Sequence, residues 1–366
     1  MNAPSVHRAS SPRSSTLRGS AQRSSAHRSS AQRSASRRHW GALCAGLVLM
    51  AALALISVAV GSRPVPLGAV LEILAGGEAA DSDHHAVMGL RVPRTIAAAV
   101  VGAALAVAGA LMQSLTRNPL AEPGLLGVSA GSAFAVAMAI AVFGITSAAG
   151  YIWFALFGAL VATVAVALIG GMGTGRIDPI RLVLAGVALS AVLSGIIGAL
   201  RLSDPQTFNA LQVWEAGMLA GRGLEITLTV LPLILLALLV ALPLGTSLNT
   251  LAMGDELAAS LGVSLVRTRV LAILAITVLA GGAAAIAGPI AFIGLMVPHA
   301  ARWIAGADQR WVLRLSLVFG PVLMIFADVL ARLLVWPGEM PVGLVSALVG
   351  APVLVLLIRR RKALRL

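Results

Sequence analysis

Long apolar stretches make up most of this chain, and ten of them come near the roughly 20 residues that a helix needs to cross the hydrocarbon core of a bilayer. They cover residues 40–61, 92–114, 125–144, 151–171, 180–200, 226–246, 268–288, 290–304, 311–334 and 341–358. The eighth stretch is short and contains Pro298 and His299. Omitting it would place Arg302, Arg310 and Arg314 on the wrong side of the membrane. The pattern therefore predicts an all-α polytopic membrane protein with ten transmembrane helices over residues 40–358.

The composition agrees with this pattern. Of all residues, 58% are hydrophobic and 11% are charged, whereas soluble domains carry about a quarter charged residues. A soluble globular protein is therefore excluded. The single cysteine, Cys44, lies in an apolar run and has no electropositive neighbour, so neither an intramolecular disulfide nor a reactive thiol is expected.

The first 39 residues have a different composition, with an arginine at every fifth position from Arg8 to Arg33 and no acidic residue. This segment has too little apolar surface to offset the entropy of ordering, so we predict a disordered cytoplasmic tail over 1–39. Its eight arginines leave +5 of the formal net charge of +13 for the rest of the chain, and a nucleic-acid partner is not indicated. The tail either binds anionic lipid, at about 1 kcal/mol per basic residue, or only sets the topology. A signal peptide is not expected, because the apolar run over 40–60 exceeds the roughly 7–15 residues of such a segment.

Basic residues predict the orientation. With the N-terminus inside, the inner connections hold Arg117, Arg176, Arg181, Arg267, Arg269, Arg302, Arg310, Arg314 and the basic C-terminal tail 359–366. The outer connections hold Arg63, Arg91, Arg94, Arg201, Arg222 and Arg332, mixed with Glu72, Glu78, Asp81, Asp83, Asp204, Glu215, Glu225 and Glu339. This asymmetry follows the positive-inside rule for a cell-membrane protein with both termini in the cytoplasm. On the second helix Gly102, Ala106 and Ala110 share one face, which favours close helix packing.

The residue pattern limits the energy source for any transport. A nucleotide-binding P-loop needs a lysine, and the only lysine, Lys362, lies in the C-terminal tail. An ion-coupled carrier usually keeps an ionisable group inside the membrane. The acidic residues cluster in connections, with Asp328 as the main exception, and Asp328 can pair with Arg332 four residues later. This speaks against an ion-coupled secondary transporter without excluding it, and no nucleophile–base or metal constellation indicates a membrane enzyme.

One inner connection suits a short helix. Asp255 and Glu256 favour a helix N-terminus, and Gly262 favours its end. Leu257 and Leu261 share one face. A two-turn helix is not stable alone in water, so we expect this apolar face to be held either by the rest of the chain or by a partner such as a separate ATPase.

Eight ordered motifs between residues 40 and 360 resemble the FecCD-type permeases, the membrane subunits of binding-protein-dependent ABC importers for ferric siderophores, haem and cobalamin. They are R-V-P-R (91–94), N-P-L-A-E-P-G-L-L-G (118–127), R-L-V-L-A-G-V-A-L (181–189), G-D-E-L-A-A-S-L-G (254–262), G-P-I-A-F-I-G-L-M-V-P-H (288–299), A-D-V-L-A-R (327–332), E-M-P-V-G (339–343) and G-A-P-V (350–353). The resemblance implies the ten-helix type II ABC importer permease fold known from the cobalamin importer. It also implies a dimer of permeases with two ATP-binding subunits and one extracytoplasmic solute-binding protein.

The resemblance assigns roles to particular residues. The cytoplasmic coupling helix that docks on the ATPase corresponds to Gly254, Asp255, Glu256, Leu257, Ala258, Leu261 and Gly262. The outward arginines that receive glutamates of the binding protein correspond to Arg91, Arg94 and Arg332. For Arg91 and Arg94 the alternative is snorkelling to the membrane interface. ATP and Mg would be used by the partner ATPase, and no cofactor is expected on this chain.

The sequence indicates the transported cargo and its path through the protein less clearly. Gln113, Ser114 and Asn118 either line a translocation path or gate, or cap helix ends, and the second interpretation is favoured. His299 lacks partners at metal-ligand spacing, so no metal site is expected. A ferric siderophore is the expected cargo, with cobalamin or haem as alternatives within the family.

Overall fold

The computed structural model describes residues 14–61, 64–77, 80–145, 147–170, 179–336 and 338–363. Within these ranges the chain is helical and contains no strand. Its helices are α1 Ser14–Ala59, α2 Leu67–Leu74, α3 Asp81–His84, α4 Val92–Thr116, α5 Val128–Ala141, α6 Ala148–Ile169, α7 Pro179–Ser203, α8 Pro205–Glu215, α9 Leu224–Ala241, α10 Leu244–Leu251, α11 Asp255–Ser260, α12 Leu265–Ala287, α13 Ile293–Ala305, α14 Gln309–Leu333 and α15 Val342–Ala363. A π-helical turn, His85–Arg91, precedes α4, and a 3-10 turn, Pro123–Leu126, precedes α5.

Each of the ten predicted stretches overlaps at least one of these helices. In the described part of the chain, seven helical segments are long and apolar enough to cross a membrane: Ser36–Ala59, Asp81–Thr116, Ala149–Ile169, Ile180–Ser203, Leu224–Ala241, Leu265–Ala287 and Gln309–Leu333. The third and tenth stretches form the shorter apolar helices Val128–Ala141 and Val342–Val355. The eighth forms α13, which has 13 residues. The predicted all-α polytopic architecture is confirmed.

The N-terminal segment is described from Ser14, and residues 1–13 lie outside the described residues. The disorder expected over 1–39 stays a prediction. From Ser14 onward the backbone is continuous with the helix of the first span. Alanine, arginine and glutamine are strong helix formers. Extending an existing helix also avoids the unfavourable nucleation step, so the first span can serve as a template for the residues before it.

The bundle has two ends that carry different chemistry. We call the end at which α4 begins the arginine end, because Arg91, Arg94 and Arg332 lie there. The opposite end, where Arg117 contacts Asp255, is called the Asp255 end. The helix α1 reaches the arginine end at its C-terminus, while α15 begins next to that end and runs away from it. The N-terminus of α1 and the C-terminus of α15 therefore lie on the same side of the bundle, as a topology with both termini in one compartment requires.

The centre of the bundle is α4, which is buried along nearly its whole length and packs against α9, α12, α13 and α14. Glycine permits this packing. A Cβ built on Gly102 would lie 2.5 Å from the carbonyl oxygen of Gly320 in α14, and one built on Gly109 would lie 1.8 Å from that of Gly294 in α13. In lipid the hydrophobic effect does not drive helices together, so close backbone contact of this kind is a main source of the attraction between them.

Gly109→Ala is expected to destabilise the bundle, because the added methyl group would meet the backbone of α13. Overpacking of this kind costs about 1–3 kcal/mol and would lower the apparent melting temperature of the protein in detergent. Gly195→Ala, in α7, is the matched control, since its Cβ would meet nothing within 4 Å. There the better helix propensity of alanine should leave stability unchanged or raise it by up to about 1 kcal/mol. Equal melting temperatures for the two variants would contradict the close α4–α13 contact.

Candidate functional sites at the two ends of the bundle

The arginine end contains a buried ion cluster. Asp328, in α14, has no exposed surface, and both of its oxygens are within 3.1 Å of Nε of Arg94. Arg332, one helical turn further along α14, also bonds to Asp328. Nη1 of Arg94 donates to Glu339 at 2.5 Å. The carboxylate of Asp328 is thus shared by two guanidinium groups, which offsets the cost of placing a charge among apolar helices.

The same arginines close the end of α1. Nη1 of Arg332 donates to the carbonyl oxygens of Ser57 and Val60 at 2.7 and 2.9 Å, and Nη1 of Arg91 donates to those of Val58 and Ala59 at 3.0 and 2.8 Å. The last carbonyl groups of a helix have no partner inside the helix. Cationic donors satisfy these groups and also interact favourably with the negative end of the helix dipole.

These contacts confirm one sequence prediction, the pairing of Asp328 with Arg332. The predicted docking residues Arg91, Arg94 and Arg332 are only 6%, 8% and 2% exposed. Apart from the i,i+4 pair of Arg332 with Asp328, the carboxylates and carbonyls that hold them come from distant parts of the same chain. Their docking role stays a prediction.

A cavity of about 400 Å³ nevertheless reaches the cluster. Arg91, Arg94, Arg332 and Glu339 line it together with Ser82 and His85. The side chain of Glu339 is 26% exposed. An acidic group that enters this cavity would therefore meet guanidinium groups and compete with Glu339 for Arg94.

The Asp255 end presents the short helix α11. One carboxylate oxygen of Asp255 lies 2.6 Å from Arg117, just after α4, and the other lies 2.6 Å from Arg269 in α12. Partial burial raises the pKa of Asp255, but the hydrogen bonds and charges of Arg269 and Arg117 outweigh burial, so the pKa lies below its usual range. Asp255 therefore stays ionised and ties α11 to two central helices.

The apolar face of α11 is open. Ala258 is fully buried, whereas Leu257 and Leu261 are 43% and 60% exposed. Gly254 and Gly262, with φ of +117° and +81°, bracket the helix, and the predicted start at Asp255 and end before Gly262 are confirmed. We expected either the rest of the chain or a partner to cover these leucines, and no described residue covers them.

A second contact at this end was not predicted from the sequence. Asn249 in α10 donates to Asp308 at 2.8 Å, and its side-chain oxygen accepts from the backbone of Gln309 at 2.7 Å. The hydrogen bond from Arg310 lowers the pKa of Asp308 to about 2, against the raising effect of partial burial. The signal was present in the sequence, because Asp308 directly precedes a long apolar helix, where an aspartate caps the N-terminus.

The three candidate path residues are engaged in helix contacts. The amide of Gln113 donates to the carbonyls of Gly294 and Leu295 at 3.2 and 3.3 Å. The hydroxyl of Ser114 donates to the side-chain oxygen of Gln309 at 2.8 Å, and the side-chain amide oxygen of Asn118 accepts from the backbone N–H of Leu120 at 3.0 Å. The contacts of Gln113 and Ser114 join α4 to its neighbours and are not helix caps, so both the path or gate role and the capping role stay predictions.

The connection after α4 folds back into the bundle. Glu122 is half-buried, its carboxylate lies 3.4 Å from the backbone nitrogen of Phe292, and it lines a small cavity with Leu105, near the middle of α4. The left-handed conformations of Arg117 and Gly127 turn the chain at both ends of this segment. Sequence reasoning placed Glu122 in an ordinary connection, so the structure adds a second acidic side chain among the apolar helices.

The fold is that of a multi-pass membrane protein. Buried charges are neutralised at one end, and a short helix presents an open apolar face at the other. The model of the FecCD transport family matches residues 49–360 of the chain. The chain therefore belongs to the FecCD transport family, and the resemblance of its motifs to that family is confirmed.

Several relatives match over most of their length. The ferric enterobactin transport system permease protein FepD of Escherichia coli (strain K12) is 48% identical over 317 residues, 86% of this chain and 94% of FepD. The iron(3+)-hydroxamate import system permease protein FhuB of Bacillus subtilis (strain 168) is 40% identical over 332 residues, 89% of this chain and 85% of FhuB. The hemin transport system permease protein HmuU of Yersinia pestis is 37% identical over 324 residues, 87% of this chain and 95% of HmuU.

A solved structure of a metal-chelate type ABC transporter in an inward-facing conformation has a TM-score of 0.76 to this chain at 29% identity, covering 87% of this chain and 98% of the other. The type II permease fold is thereby confirmed. The chain is a permease of an iron-chelate ABC importer family, whose members work with an ATPase and a binding protein.

Asp328→Asn is expected to lower stability strongly, because Arg94 and Arg332 would lose the carboxylate that they share. Breaking one side of a buried ion pair costs about 3–5 kcal/mol, which should appear as a large fall in apparent melting temperature in detergent. The control is Arg310→Gln, which breaks the ion pair between Arg310 and Asp308. The side chain of Arg310 is 52% exposed, so this pair contributes only about 0–1 kcal/mol to stability. A fall no larger than that of the control would refute the structural role of the cluster.

Proposed function

We propose that this chain is the membrane-spanning permease subunit of a binding-protein-dependent ABC importer that carries a ferric siderophore across the cytoplasmic membrane by ATP-driven alternating access. The observation that carries the proposal is the 48% identity to a ferric enterobactin permease over 94% of that protein. Cobalamin or haem is the alternative cargo within the family, and the 37% identity to a hemin permease supports haem as one of these alternatives.

In this proposal the Asp255 end faces the cytoplasm and the arginine end faces outward. The positive-inside rule supports this orientation, because basic residues outnumber acidic ones most clearly in the connections of the Asp255 end. Both termini are then cytoplasmic, and the N-terminal arginines lie where anionic lipid headgroups are available.

The helix α11 is the proposed contact with the ATPase. Leu257, Leu261 and the neighbouring Met253 are all more than 40% exposed, which leaves an apolar surface for a partner to cover. Asp255 links α11 to Arg117 and to Arg269 through charge-assisted hydrogen bonds. A displacement of α11 by the closing ATPase would therefore act directly on α4 and α12.

The cavity at the arginine end is the proposed docking point of the solute-binding protein. A glutamate of that protein would enter beside Glu339 and exchange partners with it at Arg94. Such an exchange keeps the buried guanidinium groups neutralised throughout. Its main effects are orientation and association rate, since partly exposed pairs are individually weak.

The remaining steps follow the family scheme. Two permeases, two ATPase subunits and one binding protein form the complex, and ATP and Mg bind to the ATPase subunits. ATP binding closes the ATPases and moves the coupling helices, the cargo enters the space between the permeases, and hydrolysis resets the pair. Gln113, Ser114 and Asn118 lie near the inner end of α4, where a gate would close this path.

The function is tested by uptake of radiolabelled ferric siderophore, haem and cobalamin in iron-starved cells with and without this chain, and with and without its solute-binding protein. Deletion is expected to abolish ferric siderophore uptake alone, and uptake should require the binding protein. Loss of haem or cobalamin uptake instead would identify that compound as the cargo in place of a ferric siderophore. Uptake that continues without an ATPase partner and collapses with the proton gradient would show an ion-coupled carrier and refute the importer.

Leu257→Asp combined with Leu261→Asp is expected to release the ATPase from the detergent-purified complex, because two charges would replace the apolar contact surface. Both side chains are largely exposed, so the permease itself should keep its melting temperature. Leu202→Asp, on a side chain that is 92% exposed at the other end of the bundle, is the control and should retain the ATPase. Stoichiometric ATPase on the double variant would rule out the coupling assignment.

A further inference from the structure

A second cavity lies at the arginine end, on α8 and the turn that follows it. It is open to the surface and has a volume of about 780 Å³, within the range of about 300–1,000 Å³ that is usual for ligand pockets. Its lining includes Tyr151, Gln206, Asn209, Trp214 and Arg222. Aromatic rings, amide groups and one cation therefore face the same space.

Arg222 has no carboxylate partner in the described part of the chain. The other arginines described at this end are bonded: Arg91 to backbone carbonyls, Arg94 and Arg332 to Asp328, and Arg201 to Glu215. Arg222 is half-buried, and burial lowers its pKa from the ordinary value, but arginine stays charged at neutral pH. Its charge is thus partly desolvated, and no carboxylate of the described residues offsets it.

The cavity also offers groups that form hydrogen bonds. Gln206 and Asn209 contribute exposed side-chain amides on α8, which both donate and accept. Trp214 is 1% exposed, and among the described atoms its buried indole N–H has no acceptor. A ligand rich in anionic oxygen would pair with Arg222 and accept hydrogen bonds from the two exposed amides.

We propose that this cavity is a subsite that receives the cargo on its way through the permease, and that it takes an anionic, oxygen-rich iron chelate with Arg222 as the charge partner. The proposal rests on the function proposed above and makes its cargo more specific. The chemical class is the ferric tris-catecholate type, whose ring oxygens carry net negative charge and can accept hydrogen bonds from Arg222 and from the exposed amides of the cavity.

The position of the cavity fits a transfer step. Ala220 and Gly221 line both this cavity and the cavity of the ion cluster, so only this short turn separates the two. Cargo released by a protein docked at Arg94 would therefore find Arg222 close by. A fixed cation in a partly dry cleft also raises the local concentration of anions and steers them inward.

The test uses the complete permease–ATPase complex with its binding protein in proteoliposomes, and two probes: iron-55 tris-catecholate, which is anionic, and iron-55 tris-hydroxamate, which is neutral. Arg222→Gln is expected to reduce the apparent affinity for the anionic probe about tenfold or more, as the loss of a charge-assisted hydrogen bond implies, and to leave the neutral probe within about twofold. Arg222→Lys should restore part of the affinity. Arg201→Gln removes an arginine outside the cavity and should not change the ratio between the probes.

Each contrary result has its own meaning. An equal loss for both probes, with a lower melting temperature, would make Arg222 a structural residue and overturn the subsite. Loss of ATPase stimulation by the cargo-free binding protein would assign Arg222 to docking and likewise overturn it. If the wild-type complex imports no iron chelate at all, the proposed function fails. If the complex imports iron chelates but Arg222→Gln does not change the preference between the two probes, only the subsite is refuted.

Discussion

The carboxylate of Asp328 is the charge around which the arginine end is organised. It lies in α14, with no exposed surface, and it is stable there only because Arg94 and Arg332 both contact it. The two arginines carry the effect further, since Arg94 holds Glu339 and Arg332 holds the last carbonyl groups of α1. One buried charge thereby fixes the positions of α1, α4, α14 and the connection before α15.

The helix α4 joins this cluster to the contacts at the other end. Arg94 lies in its first turn, and Arg117 follows directly after its last residue and holds Asp255. Between these points α4 is packed by backbone contact at Gly102 and Gly109, which leaves little free volume for independent bending. A helix fixed at both ends and along its length moves as one body. In the proposed importer, this rigidity would let a shift of α11 reach the docking cavity without a chain of side-chain rearrangements.

Local sequence signals predicted the local features well. The ten stretches, the pair at Asp328 and Arg332, and the start and end of α11 all follow from residues within a few positions of one another. Contacts between distant segments could not be predicted in this way. The partners of Arg94 lie 234 and 245 residues away, and the sequence does not show that they neutralise it. The inward position of Glu122 could not be predicted either. The turns at Arg117 and Gly127 direct this segment into the bundle only when the other helices are in place.

At the arginine end, the arginines with a partner differ from Arg222, and the difference separates a structural role from the proposed contact with the cargo. An arginine that shares a buried carboxylate contributes to folding and is costly to disturb. Arg222 has no such partner among the described residues and lies in an open cavity, so it contributes little to the fold and remains available to an anion. A single partly solvated cation binds an anion by only a few kcal/mol. That is a useful strength for a passage, because a solute must bind well enough to enter and weakly enough to leave.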